Sequence, residues 1–151
     1  MRALCAACAL ALVVASPARG QTISVLPITD LRFGDLMTGI PTRVPPTDAA
    51  RRAEVHVLAN GRITIVIVLP ATLAAPTSNT MPVTFAANDG LYQVGSGPVQ
   101  SFDPRSPLNI TVPSSSGLVR VWVGGTATPS TMQAPGDYNA SIVAQVFRGG
   151  A

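Results

Sequence analysis

Apolar residues in this chain recur at every second position in short runs, and Pro, Gly, Asn, Asp or Ser closes each run. That period places one face of a strand in a core and the other toward water, and no 3.6-residue stripe competes with it. Val55 and Val57 alternate with Glu54 and His56, and after Asn60-Gly61 the residues Ile63, Ile65, Ile67 and Leu69 share a face. Asn-Gly between two such runs tolerates positive φ at both turn positions and predicts a hairpin. Asp89-Gly90 predicts a second one, joining 81–87 to 91–94. The turn at 114–117 predicts a third, between Leu108, Ile110, Val112 and Val119, Val121, Val123. The last run, Tyr138, Ala140, Ile142, Ala144 and Val146, is the longest clean alternation. Toward the front, 23–28 and 31–36 read as two shorter strands, followed by a Pro-rich connection over 39–48.

Fourteen prolines argue against long helices and fit loops and edge strands. Seven to nine short antiparallel strands in one domain predict an all-β fold, an immunoglobulin-like or pilin-like antiparallel β-sandwich, with a closed barrel as the alternative.

The first twenty residues do not belong to that pattern. Arg2 precedes a small and apolar run from Ala3 to Ala15, then Ser-Pro-Ala-Arg-Gly leads to Gln21. This is the layout of a secretory signal peptide over 1–20, cleaved after Ala18 or Gly20, and it predicts a single domain over 21–151 working in the periplasm, at the cell surface or outside the cell. The run is shorter than the roughly 20 residues a membrane span needs, and no later stretch reaches that length, so no transmembrane segment is expected.

Processing also changes the composition. Cys5 and Cys8 both lie in the leader, so the remaining chain carries no thiol, disulfide or cysteine metal site. All ten basic residues are Arg, and loss of Arg2 and Arg19 leaves eight against seven acids. A near-neutral chain with scattered Arg does not make the concentrated field that polyanions need, and nucleic acid is not an expected partner.

Candidate chemistry is thin. His56 is the single histidine and falls on the outer face of its strand beside Glu54, too little for a histidine-rich zinc site or a triad. No serine sits in a Gly-x-Ser-x-Gly elbow, and the seven acids do not cluster as in a calcium loop. No catalytic residue, cofactor or metal site is therefore assigned. Trp122 stands on the face opposite Val119, Val121 and Val123, next to Arg120, where a ring beside a guanidinium could stack a sugar or another aromatic; Tyr92 is a second candidate for such a contact.

Several local patterns occur in order: Leu31, Phe33 and Gly34 after the exported start, Leu69-Pro70 closing a strand, Gly124-Gly125, and Gln133 followed by Gly136 and Tyr138. Together they resemble the secreted bacterial family called domain of unknown function 4402, and more distantly spore coat protein U and the chaperone–usher pilins. The resemblance covers nearly all of 21–151. It implies an exported β-sandwich of a surface fibre or coat, and no catalysis. The chain departs from pilins in lacking a cysteine pair and in carrying Phe147 near its end.

The function expected is that of a non-enzymatic secreted or cell-surface structural or interaction protein, fimbria-like or coat-like, acting by strand pairing. Its partners would be further copies or other surface subunits, joined by β-strand addition, and an export chaperone. The candidate donor is 22–29, with Ile23, Val25 and Ile28 filling a neighbour's pockets; paired within its own chain, the same segment would close the domain as a monomer. The alternative is a carbohydrate-binding or adhesive module built on Trp122 and Tyr92. A secreted hydrolase, needing acids brought together by the fold, ranks third.

Overall fold

The structure is a computed structural model that describes residues 22–75, 79–134, 136, 138 and 141–149. The expected leader over 1–20 lies outside these. The described residues form twelve strands and no helix: β1 (Ser24–Thr29), β2 (Thr42–Val44), β3 (Ala53–Leu58), β4 (Gly61–Val68), β5 (Thr72–Ala74), β6 (Thr80–Thr84), β7 (Gly90–Val94), β8 (Gln100–Phe102), β9 (Leu108–Val112), β10 (Leu118–Val123), β11 (Gly125–Ala127) and β12 (Val143–Arg148).

They make three sheets, ordered β1-β3-β10-β7-β8, β2-β11-β6-β5 and β12-β4-β9, with every pairing antiparallel. Val55, Val57, Val119 and Val121 of the five-stranded sheet share one core with Ile63, Ile65, Ile67, Leu108 and Val112 of the three-stranded sheet. Val44, Leu73, Met81, Val83 and Ala127 extend that core into the four-stranded sheet. The architecture is a β-sandwich whose strands run on, past bends, into a third sheet.

Those bends explain why twelve strands appear where seven to nine are expected. β10 and β11 are one run broken at Gly124, where the backbone of Val44, Pro45 and Pro46 packs so closely that a Cβ has no room. Pro70 likewise separates β4 from β5, because it cannot donate to a ladder. β2 falls in the Pro-rich stretch read as a plain connection. Residues 31–36, expected as a strand, form none; Leu31 and Phe33 instead plug the core from a loop, each 3% exposed.

All three predicted hairpins are corrected. β3 and β4 lie in different sheets, as do β6 and β7, and β9 and β10. The turns exist, with Gly61 at φ 81° and Gly117 at φ 58°, but each carries the chain across the core instead of back along its neighbour. The reason is parity. A two-residue turn at 60–61 would pair 59 with 62 and 57 with 64, so Val57 would share a face with Thr64 and send Ile63, Ile65 and Ile67 to the opposite side. Crossing to the other sheet buries both apolar sets. True hairpins link β5 with β6 and β7 with β8, and both include short strands of three residues.

Candidate functional site

Of the residues in the ordered sequence patterns, Leu31, Phe33, Gly124 and Gly125 are buried packing positions, whereas Gly34 and Gly136 are exposed. Gly125 lies against the Phe85 ring and Leu31, so the Leu31-to-Gly34 loop and the Gly124-Gly125 bend meet at one corner. Gln133 Nε2 donates to the Tyr138 hydroxyl at 2.7 Å and to the Thr80 carbonyl at 3.2 Å, while Tyr138 donates to the Ala134 carbonyl at 2.7 Å. Gln133, Gly136 and Tyr138 thus line one small cavity of about 110 Å³ with Leu36 and Met81. Leu69 and Pro70 sit, half-buried, at the bend that follows β4.

Trp122 and Tyr92 do not share a surface. Trp122 pairs across β10 and β7 with Leu91, whereas Tyr92 pairs with Val121, so the indole is on the outer face and the phenol ring turns inward. Tyr92 packs edge-on against Phe102 with centroids 6.0 Å apart, and its hydroxyl donates to Gln100 at 2.9 Å. Trp122 is only 7% exposed, because the Arg52 guanidinium covers its ring at 4.5 Å from the centroid.

Around that indole the outer face of β3 and β10 carries a polar cluster. Glu54 accepts from or shares a proton with His56 Nε2 at 2.7 Å and lies 3.5 Å from Arg52, which also donates to the Pro46 carbonyl. Burial pushes the Glu54 carboxyl up, but the His56 hydrogen bond, the neighbouring indole N–H and the charges of Arg52 and His56 more than reverse this, so it ionises below its ordinary range. The indole N–H itself meets no acceptor at full hydrogen-bond geometry. Arg120 donates to Gln93 and to the Gly95 carbonyl. Each charged group here is engaged by a neighbour, which makes the cluster a brace across the sheet.

Two further acids pair with an arginine close by in sequence, and a third with one far along the chain. Asp48 binds Arg51, and Asp103 binds Arg105 at 2.8 Å, whose hydrogen bonds hold the Asp103 carboxyl down to about 2. Asp89 is 1% exposed and pairs with Arg43. Asp137 lies outside the described residues. Among the described residues no three His, Asp or Glu side chains gather as for a metal ion, and no helix is long and apolar enough to cross a membrane.

The donor candidate 22–29 is β1, paired with β3 in its own chain. Ser24 opposes Leu58, Val25 opposes Val57 and Leu26 opposes His56, with a bulge between Pro27 and Thr29. Ile23 and Val25 pack on the core, while Leu26 and Ile28 stay 43% and 49% exposed. β1 is thus an edge strand, half covered and held by one ladder.

What the molecule presents most distinctively is its set of sheet edges. Unpaired backbone groups along an edge can template another strand, and proteins blunt them with short length, Pro, bulges or charge. β2, β5 and β8 are three residues long, and β1 carries Pro27 and its bulge. β9 and β12, the two edges of the three-stranded sheet, have neither Pro nor bulge and keep regular register with β4. Along the β9 edge runs an open trough of about 450 Å³ bounded by Tyr92, Val94, Gln100 and Pro113. It exists because β8 is too short to extend β7 toward β9, and sequence reasoning missed it because β8 gave no alternation to read. The shortness of β8 between Pro98 and Pro104 was the available signal.

Fold and edges together define an all-β sandwich in which, among the described residues, β9 and β12 each pair on one side only. No protein-family model matches the chain, and no curated protein matches it significantly.

Proposed function

We propose that this chain is an exported, non-enzymatic structural or interaction protein of the cell surface that works by strand pairing. The observation that carries this reading is the β9 edge: five residues of regular strand, unpaired on one side among the described residues, beside a trough lined by apolar Ile110 and Val94 and polar Gln100 and Asn109. An extended segment laid there would gain main-chain hydrogen bonds from β9 and seat alternate side chains in the trough. The donor in this scheme is 22–29 of a neighbour, whose Ile23, Val25 and Ile28 supply apolar side chains; in the closed monomer this segment rests on its own β3. The leader-like start supports export, and the likeness to domain of unknown function 4402, to coat proteins and to pilins supports a fibre or coat with an immunoglobulin-like plan.

A fluorescent peptide with the sequence of residues 22–29 tests the acceptor directly by anisotropy. Saturable binding is expected, weakened by Asn109→Lys and Thr111→Lys, since charge on an edge strand blunts pairing. Absence of binding up to millimolar peptide refutes the assignment of β9.

A further inference from the structure

Among the described residues β12 pairs only with β4 and is approached, without pairing, by β1 of the facing sheet, so it offers a second edge, and its side chains say what fits it. Its inner residues Ala144 and Val146 pack on the core, while Val143, Gln145 and Phe147 project from the outer face of the sheet. Val143 and Phe147 are 49% and 53% exposed, unusual for large apolar groups on a strand free of Pro and bulge. They are also placed symmetrically about Gln145. An antiparallel partner with the same sequence, centred on Gln145, sets Val143 against Phe147, Ala144 against Val146, and Gln145 against its own copy. Every exposed apolar group on the edge is then opposed by another. The strand's one charge, Arg148, falls against Ile142 and not against its symmetry mate, so no like charges are forced together.

Such self-complementarity is the requirement of a two-fold interface. We propose that β12 pairs antiparallel with β12 of a second copy, joining two three-stranded sheets into one continuous six-stranded sheet with Gln145 at the axis. This deepens the strand-pairing reading and rests on it for the kind of contact, but it uses a different edge and needs no donor segment. One strand against one strand buries less than the roughly 1,200 Å² of stable complexes, so the dimer is a weak one that forms at high local concentration, as in a coat or fibre.

Directly opposed residues of an antiparallel pair have Cβ atoms about 4.5–5.5 Å apart, close to disulfide reach. In the full chain with Cys5 and Cys8 replaced by Ser, Gln145→Cys supplies a single thiol at the axis. Mild oxidation is expected to give a covalent dimer at least tenfold faster than the same experiment with Thr111→Cys on β9. Phe147→Lys should abolish that preference, and the pair Val143→Glu with Phe147→Lys should restore it by placing opposite charges across the axis; far-ultraviolet circular dichroism checks that each variant is folded. Equal rates at positions 145 and 111, or no rescue by the charge pair, overturns the proposal. The peptide experiment on β9 is independent of these variants: peptide binding without Gln145 crosslinking leaves the β9 reading standing and removes this one, while crosslinking without peptide binding removes the β9 acceptor and leaves β12 pairing standing.

Discussion

The Asp89–Arg43 pair makes a quantitative demand on the fold. Asp89 closes the corner between β6 and β7; its Oδ1 accepts from Arg43 Nη2 at 2.7 Å, its Oδ2 from the Ala86 N–H at 2.8 Å, and its carbonyl from the Gly124 N–H at 2.8 Å. One residue thus ties β2, the β6–β7 corner and the β10–β11 bend. The carboxylate is buried, but the Arg43 side chain is 48% exposed, so the two partners are not equivalent. Arg43→Ala strands a buried charge with a single N–H for support, a loss of about 3 kcal/mol, taken at the low end for a buried pair because water reaches the guanidinium side. Asp89→Asn keeps an acceptor for the Ala86 N–H and frees Arg43 into solvent, so it should cost about 1–2 kcal/mol, the worth of one charge-assisted hydrogen bond. With both changes made together no charge is stranded, and the double variant should lose less than the sum by at least about 1 kcal/mol. Urea unfolding measures all four proteins, with unchanged slopes showing that the denatured state is unaltered. Strict additivity, or an Arg43→Ala variant within about 0.5 kcal/mol of the parent, would show that Asp89 does not depend on this cation.

Other consequences follow from the same geometry. Ile65 is fully buried between sheets, and Ile65→Ala should cost about 3–4 kcal/mol through lost burial and the cavity left behind, read by denaturant midpoint. Gly124→Ala should be worse tolerated than Gly34→Ala, since a Cβ at 124 meets the backbone of Val44, Pro45 and Pro46, whereas one at 34 meets nothing within 4 Å and costs only the strain of its left-handed φ of 70°, about 1–2 kcal/mol; comparing their thermal midpoints checks it. Glu54, with its folded pKa below the ordinary 4.5, adds stability that is fully present above that value and is lost as pH falls through the folded pKa. The stability gap between the parent and Glu54→Gln should therefore shrink as the pH falls from 4.5 through the folded pKa; a gap that widens over that acid range contradicts the assignment.

Alternation by itself determined which side of the longer strands β3, β4, β9 and β10 is buried, and so the all-β class and most of the core: Val55, Val57, Ile63, Ile65, Val119 and Val121 were legible because side chains on a strand alternate between core and water whatever the neighbouring strand is. It also put His56 beside Glu54 on an outer face. Partner choice was not legible, because a strand's apolar face is equally satisfied by a hairpin or by crossing to the opposite sheet; only the parity across Asn60-Gly61 held a local clue, and at 89–90 and 114–117 the turn residues suit either path. The covering of Trp122 by Arg52, the burial of Asp89 against Arg43, and the gathering of Gln133 with Tyr138 all join segments that the three-dimensional path brings together. So do the open edges. Whether a strand's second side is free depends on where the sheet stops, and among the described residues the three-stranded sheet stops at β9 and at β12, which approaches β1 of the facing sheet without pairing with it, a property of the whole arrangement and of no single run of residues.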